Sequence, residues 1–127
     1  LSWQQNPNYV DAPPSPGFLD RYGYCELLGP RRPWPHASLR VGLLLLAPGT
    51  LYPSHHHPAA EVYHVAAGRS AWWRDGDGWR MRKAGDAIHH APHVPHATRA
   101  QADPLLALYC WAGDIAAAAR LTTEPRR

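Results

Sequence analysis

From residue 38 onward the chain alternates short apolar runs with turn signals. SLRVGLLLLAP reads as a buried strand closed by Pro and Gly, and EVYHVAA, SAWWRDG, GWRMRK, DAIHHA, HATRA and LLALYCWA follow it. These runs are rich in β-branched and aromatic residues, and PGT, GRS, DGDG, KAGD and ADP separate them. DGDG between WWR and WRM predicts a hairpin turn. Many short strands without a helical period predict an antiparallel sandwich or small barrel. One segment departs from this texture. GDIAAAARL, residues 113–121, has alanines that favour a helix and Asp114 to cap it, so a short C-terminal helix is expected.

Residues 1–37 read as an irregular arm that holds seven of the fourteen prolines, interrupted by one strand, YGYCELL. Its aromatics Trp3, Tyr9 and Phe18 predict that the arm packs on the barrel. The expected organisation is therefore a Pro-rich arm over 1–37 and a barrel over 38–127, one domain overall.

A chain of 127 residues is long enough to bury a genuine core. The net charge of +3 is spread thinly, without a basic stripe interleaved with aromatics, which argues against nucleic-acid binding. The apolar run VGLLLLA is too short to span a bilayer. Cys25 and Cys110 lie in apolar stretches and read as buried free thiols, which points to a reducing cytoplasm; a disulfide between the first and last strands is the alternative. The sequence opens on Leu1 rather than methionine, as a trimmed piece of a longer chain would.

Eight of the nine histidines fall between residues 55 and 96. Strand parity sorts them. His55 and His57 share one face while His56 points away, and Glu61 shares a face with Tyr63 while His64 turns outward. His96 comes from a distant segment. Two histidines, a carboxylate and a remote histidine make a nitrogen-rich donor set for one divalent transition metal: Fe2+, Mn2+, Ni2+ or Zn2+. His56, His64, His89, His90 and His93 read mostly as outward-facing or as supports for the ligands.

The order Gly49, His55, His57, Glu61, Gly68 resembles the first motif of the cupin superfamily, and GDAIHHAPHVPHATR resembles the second, with Gly85 opening it and His96 as its histidine. Ala91, His93 and Ala100 stand where that motif usually has proline, glycine and asparagine. The blocks YGYCELLGP, LRVGLLLLAPGTLYPSHHHPAAEVYHVAAG, HHAPHVPHATRA and PLLALYCWAGD together resemble the cupin-type dimethylsulfoniopropionate lyases and their lyase-like relatives. The resemblance implies an all-β double-stranded β-helix, or jelly roll, with a metal on His55, His57, Glu61 and His96. It also implies roles for Tyr52, Tyr63 and Trp111.

The implied reaction is β-elimination of dimethylsulfoniopropionate, or a similar β-substituted carboxylate, to dimethyl sulfide and acrylate. Tyr63, beside Glu61 on its face, is the expected base, and Tyr52 is the second candidate or a binding group. Trp111 and Tyr109, of one parity on the last strand, would form part of a wall for the sulfonium. Another metal-dependent cupin enzyme, such as a dioxygenase or isomerase, or a small-molecule-binding cupin without catalysis, is the alternative. The expected partner is a small-molecule substrate, with no nucleic acid and no membrane. Cupins often pair through sheet edges, so a homodimer is expected.

Overall fold

The computed structural model describes residues 2–31 and 33–122. The arm contains a short helix, α1 (Pro7–Asp11), and a 3-10 turn (Phe18–Asp20). Eleven strands follow: β1 (Tyr22–Gly29), β2 (Trp34–Pro35), β3 (Leu39–Leu46), β4 (Leu51–His56), β5 (Ala60–Ala67), β6 (Ser70–Arg74), β7 (Gly78–Arg82), β8 (Ala87–His90), β9 (His96–Ala100), β10 (Leu105–Ala112) and β11 (Arg120–Leu121). They form two sheets, a six-stranded one in the order β2-β1-β3-β10-β5-β8 and a five-stranded one in the order β11-β4-β9-β6-β7. All pairings are antiparallel except the two-residue contact of β1 with β2.

Each of the runs from residue 38 onward occupies a strand; except in the outer strand β7, which buries no residue, inward positions meet those of the facing sheet. Leu44, Leu46, Val65, Leu105 and Ala107 from one sheet pack with Trp72 and Ala100 from the other. Trp72 is in the core and bonds Ser70 Oγ through Nε1 at 2.7 Å, whereas Trp73 is half-buried. The DGDG segment closes the β6–β7 hairpin, with Gly76 and Gly78 both at positive φ. β1 sits inside the six-stranded sheet between β2 and β3, so the barrel wall draws on residues from both sides of position 37.

The residues ahead of β1 pack against the barrel. Asn6 caps α1, its side chain accepting from the Asn8 amide at 2.9 Å, and Pro7 occupies the first turn. Tyr9 and Phe18 are fully buried and pack edge-on to each other and to Tyr52. Trp3, by contrast, is 54% exposed.

The C-terminal helix expected over residues 113–121 does not form. The segment runs irregularly from Gly113 and ends in β11, which pairs Arg120 and Leu121 with His56 and His55. Alanine propensity is a weak bias that tertiary contacts override. Here other elements take the backbone carbonyls: Arg40 Nε donates to Ile115 O at 2.8 Å, and Asn6 and Asn8 both donate to Ala119 O at 2.9 Å. Ile115 and Ala119 are buried in the process. Cys25 and Cys110 are free thiols, the first buried and the second half-buried. Among the described residues no helix is long and apolar enough to cross a membrane.

Candidate metal centre and cavity

His55 and His96 stand opposite each other on β4 and β9 of the five-stranded sheet. Glu61 rises from β5 of the other sheet, and His57 lies in the crossover just past β4. All four are buried, at 1–3% exposure. Each imidazole is oriented the same way. Nδ1 faces a backbone carbonyl, Pro53 O for His55 at 2.8 Å, Ala59 O for His57 at 3.0 Å and Val94 O for His96 at 2.8 Å. A carbonyl only accepts, so Nδ1 carries the proton and a neutral ring turns a bare Nε2 inward.

Those Nε2 atoms converge on one carboxylate oxygen. His57 Nε2 is 2.9 Å from Glu61 Oε1, and His96 Nε2 is 3.2 Å from it. A lone pair directed at a carboxylate is repulsive unless positive charge lies between them. Two ligands held at about 2.1 Å by a common ion are themselves about 3 Å apart, the spacing seen here. His55 Nε2 and His96 Nε2 are buried without a hydrogen-bond partner. These residues fit a divalent cation. His57, Glu61 and His96 offer ligand atoms within 4.8 Å of one another; His55 lies outside that group, with its ring 4.2 Å from that of His96.

A cavity of about 550 Å3, its open mouth included, adjoins the cluster. Glu61, Tyr52, Tyr63, Tyr109 and Trp111 all line it. Tyr63 is buried beside Glu61 on β5, and burial followed by the Glu61 charge pushes its phenol well above the usual range. Tyr52 stacks on His55, with ring centroids 3.8 Å apart, and its hydroxyl shares a 2.7 Å hydrogen bond with Tyr9. Trp111 stacks on His57 at 3.9 Å and donates through Nε1 to Glu61 Oε2 at 2.8 Å. Tyr109 donates to Glu26 Oε1 at 3.2 Å.

Sequence reasoning missed three participants and left His90 between two readings. Tyr9 reaches the site from α1, and nothing in its sequence surroundings says which segment it meets. Glu26 and Arg40 line the cavity as an ion pair at 3.3 Å. His90 was expected to face outward or to support a ligand; it is fully buried, and its ring stacks on His96 at 3.9 Å. Its parity with buried Ile88 on β8 was the available signal. His64, His89 and His93 are exposed and His56 is half-buried.

Residues 1–107 match the family model described as dimethylsulfoniopropionate lyase. The chain belongs to the DMSP lyase family. Within that family it is 38% identical over 105 residues to dimethylsulfoniopropionate lyase DddQ of Ruegeria pomeroyi, an alignment that covers 83% of this chain and 52% of DddQ. It is 34% identical over 114 residues to the putative dimethylsulfoniopropionate lyase DddL of Cereibacter sphaeroides, covering 89% of this chain and 46% of that one. The crystal structure of R. pomeroyi DddQ superposes with a TM-score of 0.88 at 33% identity, over 95% of this chain and 60% of that one. This DMSP lyase family member thus spans about half the length of the curated relatives it matches. A cupin-like protein from Thermotoga maritima, at 20% identity and a TM-score of 0.69 over 80% of this chain and 75% of its own, shares the fold.

Proposed function

We propose that this chain carries the site of a metal-dependent lyase that eliminates dimethyl sulfide from dimethylsulfoniopropionate or a similar β-substituted carboxylate. One observation supports it above the others: His57 and His96 converge on Glu61, with His55 beside them, at the wall of a cavity whose lining includes five tyrosines and a tryptophan. His57, Glu61 and His96 would hold the ion, with His55 as fourth ligand through its unpartnered Nε2. Fe2+, Mn2+, Ni2+ and Zn2+ all suit such donors. A divalent ion bound there supplies Lewis acidity to a substrate carboxylate.

The side chains supply the rest. Tyr63 takes the proton from the carbon next to the carboxylate; that electron pair forms the carbon–carbon double bond, and the carbon–sulfur bond breaks to release dimethyl sulfide and acrylate. With its phenol raised by burial and by Glu61, Tyr63 acts as a base where positive charge offsets that carboxylate. Tyr52 is the second candidate, its proton shared with Tyr9. Trp111 and Tyr109 offer aromatic surface to the sulfonium. The free thiols fit a reducing cytoplasm. The outer strand β7, with Trp79 and Met81 half exposed, supports a homodimer through that edge, which light scattering would test.

The test is headspace dimethyl sulfide from protein loaded with each metal. Turnover no higher than that of His57→Ala overturns the lyase reading. Tyr63→Phe is expected to lower turnover by about a hundred to ten-thousand-fold with metal content unchanged. Loss of metal in that variant would make Tyr63 structural instead.

A further inference from the structure

A second carboxylate stands in the cavity wall, and two glycines make room for it. Glu26 on β1, Gly42 on β3, Tyr109 on β10 and Tyr63 on β5 form one cross-strand row. Gly42 has no side chain, and a Cβ there would collide with the Tyr109 hydroxyl. Tyr109 therefore leans across the vacant position to reach Glu26. A Cβ at Gly29 would likewise overlap the Glu26 carboxylate.

Glu26 is held without being saturated. Arg40 Nη1 reaches both its oxygens at 3.3 Å, and Tyr109 reaches one at 3.2 Å. Charge-assisted bonds are ordinarily shorter, about 2.7–2.9 Å. Both members of this ion pair line the cavity, and at the Tyr24 and Tyr109 phenols the influence of Glu26 outranks the opposing one of Arg40. After burial, the Glu26 charge is the largest influence pushing the Tyr24 and Tyr109 phenols upward. Tyr24 and Tyr109 line the cavity beside Glu26, and Trp111 lines it next to Arg40, whose guanidinium lies 5.8 Å from the centre of the indole. A carboxylate framed by aromatic rings has the chemistry of an onium seat. In the sheet β3 and β10 stand between β1 and β5, so Glu26 and Glu61 enter the cavity from different parts of its wall.

We propose that Glu26 is a specificity-determining residue that selects a cationic end on the carboxylate ligand, with Arg40 as the counter-charge that holds it in the empty pocket. The proposal rests on the carboxylate-substrate reading of the pocket given above.

The test uses two ligands of one shape, β-alanine betaine and the carbon isostere in which a tert-butyl group replaces trimethylammonium. Both are titrated calorimetrically into metal-loaded protein. Glu26→Gln removes the carboxylate and leaves Arg40 uncompensated, so the betaine is expected to weaken roughly tenfold or more while the isostere holds its affinity. Equal loss of both ligands by a folded variant, or loss of neither, overturns the proposal. If circular dichroism shows the glutamine variant unfolded, Arg40→Gln decides with the opposite sign: the betaine gains on the isostere, and an unchanged ratio refutes the role. Headspace dimethyl sulfide is followed in parallel. Charge discrimination without dimethyl sulfide sinks the lyase reading and keeps Glu26, whereas dimethyl sulfide without discrimination does the reverse.

Discussion

Trp111 binds Glu61 twice over: its indole N–H donates to Oε2 at 2.8 Å, and its ring covers His57, which contacts Oε1 of the same carboxylate. The two residues are also direct cross-strand partners on β10 and β5. Trp111 therefore fixes the carboxylate from its outer side and the His57 imidazole from its face. Trp111→Phe keeps an aromatic face and loses the donor. Metal affinity, measured by competition with a chromophoric chelator, is expected to fall about ten- to a hundredfold. Unchanged affinity would confine Trp111 to lining the cavity.

The contact between Tyr9 and Tyr52 ties the arm to the site. Both hydroxyls are buried, so Tyr9→Phe strands the Tyr52 hydroxyl without its partner. Chemical denaturation is expected to show a loss of about 1–3 kcal/mol. A neutral result would mean that water or another group replaces Tyr9.

His93 is, among the described residues, the non-glycine residue with positive φ, at 67°. Its amide donates to His57 O at 2.8 Å, so this turn connects directly to a candidate ligand residue. The left-handed conformation costs an L-residue about 1–2 kcal/mol and glycine almost nothing. His93→Gly is expected to raise stability by about 1 kcal/mol, after its own entropic cost, with the denaturant midpoint moving up. A lower midpoint would show that the imidazole makes a compensating contact.

Burial, with repulsion from His96, holds His90 down at about 3, against 6.5 for a free imidazole. Between those values the unfolded chain binds the extra proton and the folded protein does not. Stability is therefore full above pH 6.5 and declines as the solution is acidified toward 3. His55 is lowered in the same direction by burial. His90→Phe keeps a ring against His96 and removes one titration. Urea unfolding of metal-free protein at pH 5 and 6.5 is expected to give a shallower pH slope in the variant than in the parent. Equal slopes would remove His90 from the acid response.

The strands were legible because alternation has a physical cause that leaves a trace in every residue: an inward position must be apolar, and a turn must tolerate unusual backbone. The spacing of His55, His57 and Glu61 pointed to residues that the fold does bury close together, although His57 lies past the end of β4 rather than on a strand face with His55. The helix expected at Asp114–Leu121 failed because its alanines describe a local preference, whereas Asn6, Asn8 and Arg40 act on that segment from more than seventy positions away. Glu26 was hidden for a related reason. It sits in a run that looks like any half-buried strand, and what sets it apart is the pair of glycines that clear space around it.

Asn6 and Asn8 hold Ala119, and Asn6, Pro7, Ala118 and Ala119 together make part of the cavity rim. The candidate donor histidines and Glu61 all lie in the stretch from β4 to the start of β9, whereas this part of the rim is joined from the two flanks of the chain. What would hold an ion and what encloses a substrate are thus supplied by separate stretches of sequence, so changes on the flanks can reshape the pocket mouth without replacing a candidate donor.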